Sequence, residues 1–284
     1  MARIIVPEAE AILDREYPVL DKGFVRLVDY LGGDARIVQS ARVSYGEGTK
    51  TFREDKGLIE YLLRNQHTSP FEQVSLTFHC KMPIFVARQW VRHRTAKLNE
   101  ISGRYSVMRD DFYVPDPADI SYQSQDNKQG RGEEVPDVLK SEALALLTEG
   151  QKRSYAEYQS LVEKGLAREL ARINLPLSLY TEWYWSIDLH NLFHFLELRL
   201  DPHAQLEIRR YAEVMLELTR AVAPVAVEAF ENHILGGVRF SKLELEALRR
   251  LALGRTEDVA EALGNVGPKV QERFWIKLRE GRQT

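Results

Sequence analysis

Three things are scarce in this chain: cysteine, unbroken apolar sequence and surplus positive charge. One cysteine, Cys80, stands among 284 residues, which excludes an intramolecular disulfide and an all-cysteine metal site. It fits a reducing compartment, so a cytoplasmic location is the expectation. No apolar run approaches the length needed to cross a bilayer. Glu8, Glu10, Asp14, Arg15 and Glu16 break up residues 1–20, so no signal peptide is expected either. With 39 Lys and Arg against 42 Asp and Glu, a net charge of −3, the chain is not built to coat nucleic acid, and any anionic ligand must meet a local basic cluster. A Gly-x-Gly-x-x-Gly fingerprint is also missing, which removes the Rossmann turn as a dinucleotide site. The hydrophobic content of 44% suffices for one large domain or two modest ones.

What is present divides into a strand-bearing first half and a mostly helical second half. Gly23–Leu31 alternates apolar and polar residues, as does Val74–Lys81, where Val74, Leu76, Phe78 and Cys80 share one face; Cys80 is therefore expected to pack as a small hydrophobe. Leu58, Ile59, Leu62 and Leu63 predict an amphipathic helix over Glu54–Gln66. A second helix is expected to start at Pro83 and run through PIFVARQWVRHRTA into basic residues. Asp111–Asp137, rich in Pro, Asp, Ser, Gln and Gly, predicts a long mobile loop able to act as a lid. Helical spacing returns over Val138–Lys164, Asp188–Arg199 and His203–Glu231, while Leu179–Ile187 fits strand or helix equally. Ser241–Thr284 reads as two or three short charged helices. The pattern predicts an α+β chain: a mixed or antiparallel sheet with packed helices, a mostly helical C-terminal half and no Rossmann fold. Residues 1–20 are expected as an N-terminal extension, 21–235 as the core and 236–284 as a helical appendage.

The densest chemical signal is Arg88–Tyr105, RQWVRHRTAKLNEISGRY, with five Lys and Arg side chains against one acid, Glu100. On a helix, Gln89 and Arg92 lie three apart and Arg88 and Arg92 four apart, which aligns them as a fork of donors for phosphate or ring carbonyls. A solvated helix C-terminus would account for one or two of these arginines. Ser102-Gly103-Arg104 resembles a small-anion cradle, and equally a generic turn. His190 and His194 share a helical face at metal-ligand spacing, but Asn191 stands where a zinc protease carries its glutamate, so no metal is expected; packed histidines or cofactor contacts are the other readings. Arg172 precedes the helix-stopping Pro176. His67, Ser69 and Glu72 read as a helix start, Ser69 as cap and Glu72 as capping-box acid.

Arg92-His93-Arg94, seven residues, then Ser102 is similar to the signature of the flavin-dependent thymidylate synthases. HTSPFEQ, PIFVARQWVRHR, NEISGRY, ARINLP and LELRLDPHAQ follow in that family's order, over about Leu20 to Phe230, with Lys97 standing where a longer form of the pattern often has serine. The resemblance implies an FAD enzyme that methylates dUMP to dTMP, with 5,10-methylenetetrahydrofolate as carbon donor and NADPH as reductant. It implies a dUMP site of Gln89, Arg92, Glu100, Ile101, Ser102, Gly103, Arg104, Arg172 and Arg199. The FAD set it implies is His67, Ser69, Glu72, Arg92, His93, Arg94, Asn99, Glu100, Asp188, His190, His194 and His203. It further implies a homotetramer with active sites between subunits, and no cysteine nucleophile. Arg199 is the candidate for stabilising charge at uracil N3. Two rivals stand beside this reading, a nucleic-acid-binding module that uses the Arg88–Arg104 cluster and a flavoprotein oxidoreductase with another substrate.

Overall fold

The structure, a computed structural model, describes residues 3–43, 52–125, 130–254, 259–263 and 267–281. Side-chain alternation builds its sheet. In β2 (Gly23–Leu31) Val25 and Leu27 point inward, and a bulge between Leu27 and Asp29 then re-phases the strand so that Tyr30 is buried opposite Leu76. The tight turn from β1 (Tyr17–Val19) into β2 needs Gly23, whose added Cβ would lie 2.0 Å from the Tyr211 hydroxyl and 2.7 Å from two carbonyl oxygens. β3 (Ser75–Pro83) places Leu76, Phe78, Cys80 and Met82 in the core, so Cys80 is the small hydrophobe expected. β4 (Lys97–Glu100) follows, then the short β5 (Ser121–Gln123) and β6 (Arg131–Glu134), and finally β7 (Tyr180–Asp188). The five-stranded sheet runs β1-β2-β3-β7-β4, with every pair antiparallel. The segment that fitted strand or helix is thus the strand β7, held on both edges.

Helices connect these strands and pack beside them and against one another. They are α1 (Pro7–Glu10), α2 (Asp34–Arg42), α3 (Phe52–Arg64), α4 (Ile84–Trp90), α5 (Asp137–Glu163), α6 (Arg168–Ala171), α7 (Leu189–Leu200), α8 (Leu206–Val222), α9 (Pro224–Phe230), α10 (Lys242–Ala252), α11 (Val259–Leu263) and α12 (Pro268–Glu280). The fold is α+β, an antiparallel sheet with packed helices. Ala9 and Val19 are buried in the main core, so the stretch before residue 20 contributes to it, whereas α10–α12 enclose a separate cluster of Ala247, Val259, Ala262, Leu263 and Phe274.

Four local expectations give way to tertiary structure. The helix from Pro83 ends at Trp90, with Pro83 as its N-cap, because the chain must turn to extend β4 along β7. Arg92 and His93 therefore lie in a tightened turn rather than on a helix face. Ser69 caps nothing: only a single 3₁₀ turn, Phe71–Gln73, fits before β3, and the Thr68 hydroxyl donates to Glu72 Oε1 at 3.0 Å. The helix expected over 203–231 is two, broken at Pro224, and the Asp34 carboxylate accepts from Val225 N at 2.9 Å and Ala226 N at 3.0 Å. The expected lid loop carries the β5–β6 hairpin, although residues 126–129 lie outside the described residues. Arg131 binds Glu207 and Arg210 binds Asp119, ion pairs across distances no local composition reveals.

Trp90 sits at the centre of the main core, fully buried, with Trp183, Trp185, Phe195 and Tyr211 at ring-centroid distances of 5.5, 5.4, 5.0 and 5.8 Å. Trp90→Ala should cost about 3–5 kcal/mol of stability in urea unfolding. A loss under about 1 kcal/mol would mean the aromatic centre does not organise the core.

Candidate active site

Val86, Ala87 and Trp90 fix α4 against the core and leave Gln89 half-buried at its edge. Gln89 Nε2 donates to Gln205 Oε1, and Gln205 Nε2 donates to Glu207 Oε2 at 2.8 Å. Glu207 is 3% exposed and also accepts from Arg131 and from the Tyr113 hydroxyl at 3.1 Å. A carboxylate only accepts, so it sets the direction of the whole chain. Gln205 must turn its amide nitrogen to Glu207, its carbonyl then takes the Gln89 nitrogen, and the Gln89 carbonyl oxygen is left for a ligand. Burial, followed by Glu207, raises the Tyr113 pKa, which keeps that hydroxyl a donor.

Arg199 lies in the last turn of α7, half-buried, and its Nε donates to His93 Nε2 at 3.0 Å. Burial first, then Arg199 and His194, pull the His93 pKa down to about 4 from its ordinary 6.5. His93 is therefore neutral near pH 7, with its proton on Nδ1 and its Nε2 lone pair toward the guanidinium. Among the described residues this is the one side-chain hydrogen bond of Arg199, and no carboxylate pairs with it. Both of its terminal nitrogens are left to a ligand. Burial lowers the Arg199 pKa, yet a guanidinium stays charged at any physiological pH.

The chain then leaves the Arg92-His93-Arg94 turn for β4, where Asn99 pairs in register with Tyr184 and Glu100 accepts from the Thr181 hydroxyl. Ile101 N donates to Glu182 O at 2.9 Å, and Ser102 O closes the next turn by accepting from Tyr105 N and Ser106 N. Gly103 is buried under Arg172: a Cβ there would lie 3.1 Å from the Arg172 Cδ and Nη1. This contact brings NEISGRY and ARINLP together. Arg104 pairs with Glu169 at 3.0 Å, whereas Arg92 and Arg94 are exposed and make no ion pair among the described residues.

A cavity of about 380 Å³ opens beside this region, and His67, His190 and His194 converge on it with Phe193, Glu197, Phe230 and Arg239. Ser69 lines a neighbouring recess that shares Leu62 and His67 with it. Other expected residues are engaged locally. Asp188 caps α7, accepting from Asn191 N at 2.9 Å and Asn191 Nδ2 at 2.7 Å, and Glu72 holds Thr68. His203 stands apart with Arg131 and Arg209, its Nδ1 2.8 Å from Asp201. Sequence reasoning missed Gln205, Glu207, Glu197 and Arg239. Glu197 and Gln205 lie inside LELRLDPHAQ without standing out there, and Glu207 left a trace as an acid at the head of the buried stripe Tyr211, Met215, Leu218 and Val222.

The family described as "Thymidylate synthase complementing protein" matches residues 26–225. A protein of Treponema denticola named "Flavin-dependent thymidylate synthase" is 63% identical over 273 residues, covering 96% of this chain and 100% of that protein. The chain belongs to the flavin-dependent thymidylate synthases. A Thermus thermophilus protein of the same name is 56% identical over 256 residues, 90% of this chain and 93% of its own. The fold of this family recurs in a "UMP/dUMP methylase PolB from Streptomyces cacaoi bound with 5-Br dUMP", at a TM-score of 0.70 and 34% identity, covering 77% of this chain and 98% of that one.

The His93–Arg199 contact has a pH signature. An unfolded histidine takes its proton near 6.5 and folded His93 near 4, so the unfolded state binds more protons in that window. This contribution is fully present above about pH 6.5 and is lost as the pH falls toward 4. An NMR titration should place the His93 midpoint at about 4, and Arg199→Ala should move it upward by removing a cation. A midpoint of about 6.5 in the unaltered protein would contradict the contact.

Proposed function

We propose that this enzyme carries out the reductive methylation of dUMP to dTMP, with 5,10-methylenetetrahydrofolate as carbon donor and NADPH as reductant. FAD, when bound, supplies the hydride chemistry that the side chains lack. The observation that carries the reading is Arg199, a half-buried guanidinium aimed by a neutral histidine and unpaired with any acid among the described residues.

Uracil C5 is a weak nucleophile and gains reactivity when electron density enters the ring and N3 gives up its proton. Arg199 meets that developing anion with its two terminal nitrogens, while His93 holds the guanidinium plane without competing charge. Gln89 offers its oriented amide, Arg172 and Ser102 meet the nucleotide's oxygens, and Arg92 reaches both nucleotide and flavin. Ser102 is a binding hydroxyl: its Oγ accepts from Arg104 N at 3.3 Å and no base adjoins it among the described residues. Attack by cysteine is disfavoured because Cys80 is fully buried and burial pushes its thiol pKa well up.

The imidazoles of His67, His190 and His194, with Phe193 and the Arg239 cation, give the cavity donors and apolar walls suited to a flavin dinucleotide. Leu98 and Ile101, each 41% exposed beside the Ser102 turn, leave one side of the site uncovered, which supports completion by other subunits of a homotetramer. Among the described residues no helix is long and apolar enough to cross a membrane. We assign the reaction to the cytoplasm, on the single reduced cysteine.

Purified protein should show a flavin spectrum that bleaches with NADPH and recovers with dUMP and methylenetetrahydrofolate as dTMP forms. A colourless protein that stays inactive after FAD is added would sink the proposal. Arg199→Ala should lower kcat roughly 100- to 1,000-fold with dUMP still bound, and Arg199→Lys should not rescue it, since an ammonium lacks the planar fork that bonds His93 through Nε and leaves two terminal nitrogens for the ring.

A further inference from the structure

Among the described residues, the segment leading into the C-terminal helices reaches the cavity through Arg239. Within them Lys277 and Glu244 form an ion pair at 2.6 Å, with side chains 8% and 6% exposed. Lys277 Nζ also donates to the backbone carbonyl of Arg239 at 3.0 Å and lies 5.8 Å from the Phe240 ring centre. A capping box between Ser241 and Glu244 fixes the next turn. The backbone of Arg239 is thus held by the C-terminal unit. Its side chain leaves that unit, and its Nη2 donates to Glu197 Oε1 on α7 at 2.7 Å, on the wall of the cavity.

We propose that Arg239 is an anion-binding residue of this cavity, tethered there by the C-terminal unit, and that it contacts the phosphates of the flavin dinucleotide. The inference rests on the flavin reading above. Three observations carry it. First, the Arg239–Glu197 pair is mostly exposed, at 70% and 29%, and such pairs contribute little to stability. The Arg239 backbone, by contrast, is held by the buried Lys277–Glu244 pair. A buried pair is a weak source of stability but a specific positioning device. Second, among the described residues lining the cavity Arg239 is the one Lys or Arg and Glu197 the one acid. Without Arg239 a phosphate would face an uncompensated carboxylate. Third, a guanidinium has five N–H donors in a fixed fork, so it can keep Glu197 and bind a phosphate oxygen at once.

The test is FAD affinity of the full-length apoprotein, followed by flavin fluorescence across a KCl series, with no turnover required. Arg239→Ala should weaken FAD binding roughly tenfold to hundredfold, the worth of a hydrogen bond to a charged group, and flatten its dependence on KCl. Arg239→Lys should recover part of both. Lys277→Met should weaken FAD binding with Arg239 intact, and an unchanged affinity would overturn the tether. An Arg239→Ala affinity within twofold of the unaltered protein, or an unaltered KCl dependence, would overturn the phosphate contact while leaving the flavin reading standing. Unaltered protein that binds no FAD would overturn both.

Discussion

Trp183 and Trp185 reach Trp90 only because β7 is clamped in register along both edges. Its nine residues pair with β3, and β4 pairs with residues Trp183–Ser186 on the far side. A slip of one residue would turn both tryptophans to the outer face and bring Tyr184 and Glu182 into the core. The same register decides where the chain goes after α4. Because β4 must lie along β7, residues between Trp90 and Lys97 fold into a compact turn, and His93 arrives beside Arg199 rather than one helical turn further on. Core packing and site geometry are therefore one constraint.

Charge is distributed in a way that follows from this arrangement. Lys81 with Asp111, Arg131 with Glu207, Arg210 with Asp119 and Arg220 with Glu231 are scaffold pairs that hold loops and helix ends. Arg199 is given a neutral imidazole as its partner and, among the described residues, no acid. An acid in that place would stabilise the resting protein and cancel the field that a developing anion requires. The depressed His93 pKa comes first from burial and then from the field of this cation.

The sequence makes legible whatever depends on local periodicity. β2, β3 and α7 fall close to their expected bounds because an alternating or helical apolar stripe and the core it faces demand the same structure, and α5 does so although its buried side chains are Lys140, Gln151 and Tyr158. Period two cannot announce the bulge at Leu27/Asp29, and apolar spacing cannot announce that α4 stops at Trp90, because a partner strand sets both. The Asp111–Asp137 hairpin was hidden similarly: its anchors Glu207 and Arg210 lie on α8, more than 70 residues away from Arg131 and Asp119. In the site, Arg199 and the Arg92–Ser102 signature stood out through family resemblance, and His67, His190 and His194 do meet at one cavity. Glu207 and Arg239 carried no motif of their own, and Gln205 closes LELRLDPHAQ as a residue given no role there. Their significance comes from contacts across the fold, with Arg239 reaching back to Glu197 from the far side of two helices and a turn.

The chain Glu207–Gln205–Gln89 has a consequence for how the molecule can vary. Hydrogen-bond direction runs one way along it, from an acceptor that cannot donate, through an amide, to an amide. Replacing either glutamine by its isosteric acid would set two acceptors face to face, whatever the fit in volume. Size and hydropathy therefore say little about which residues are tolerated there. The three positions are coupled in hydrogen-bond direction, so a change at one alters what the next must offer.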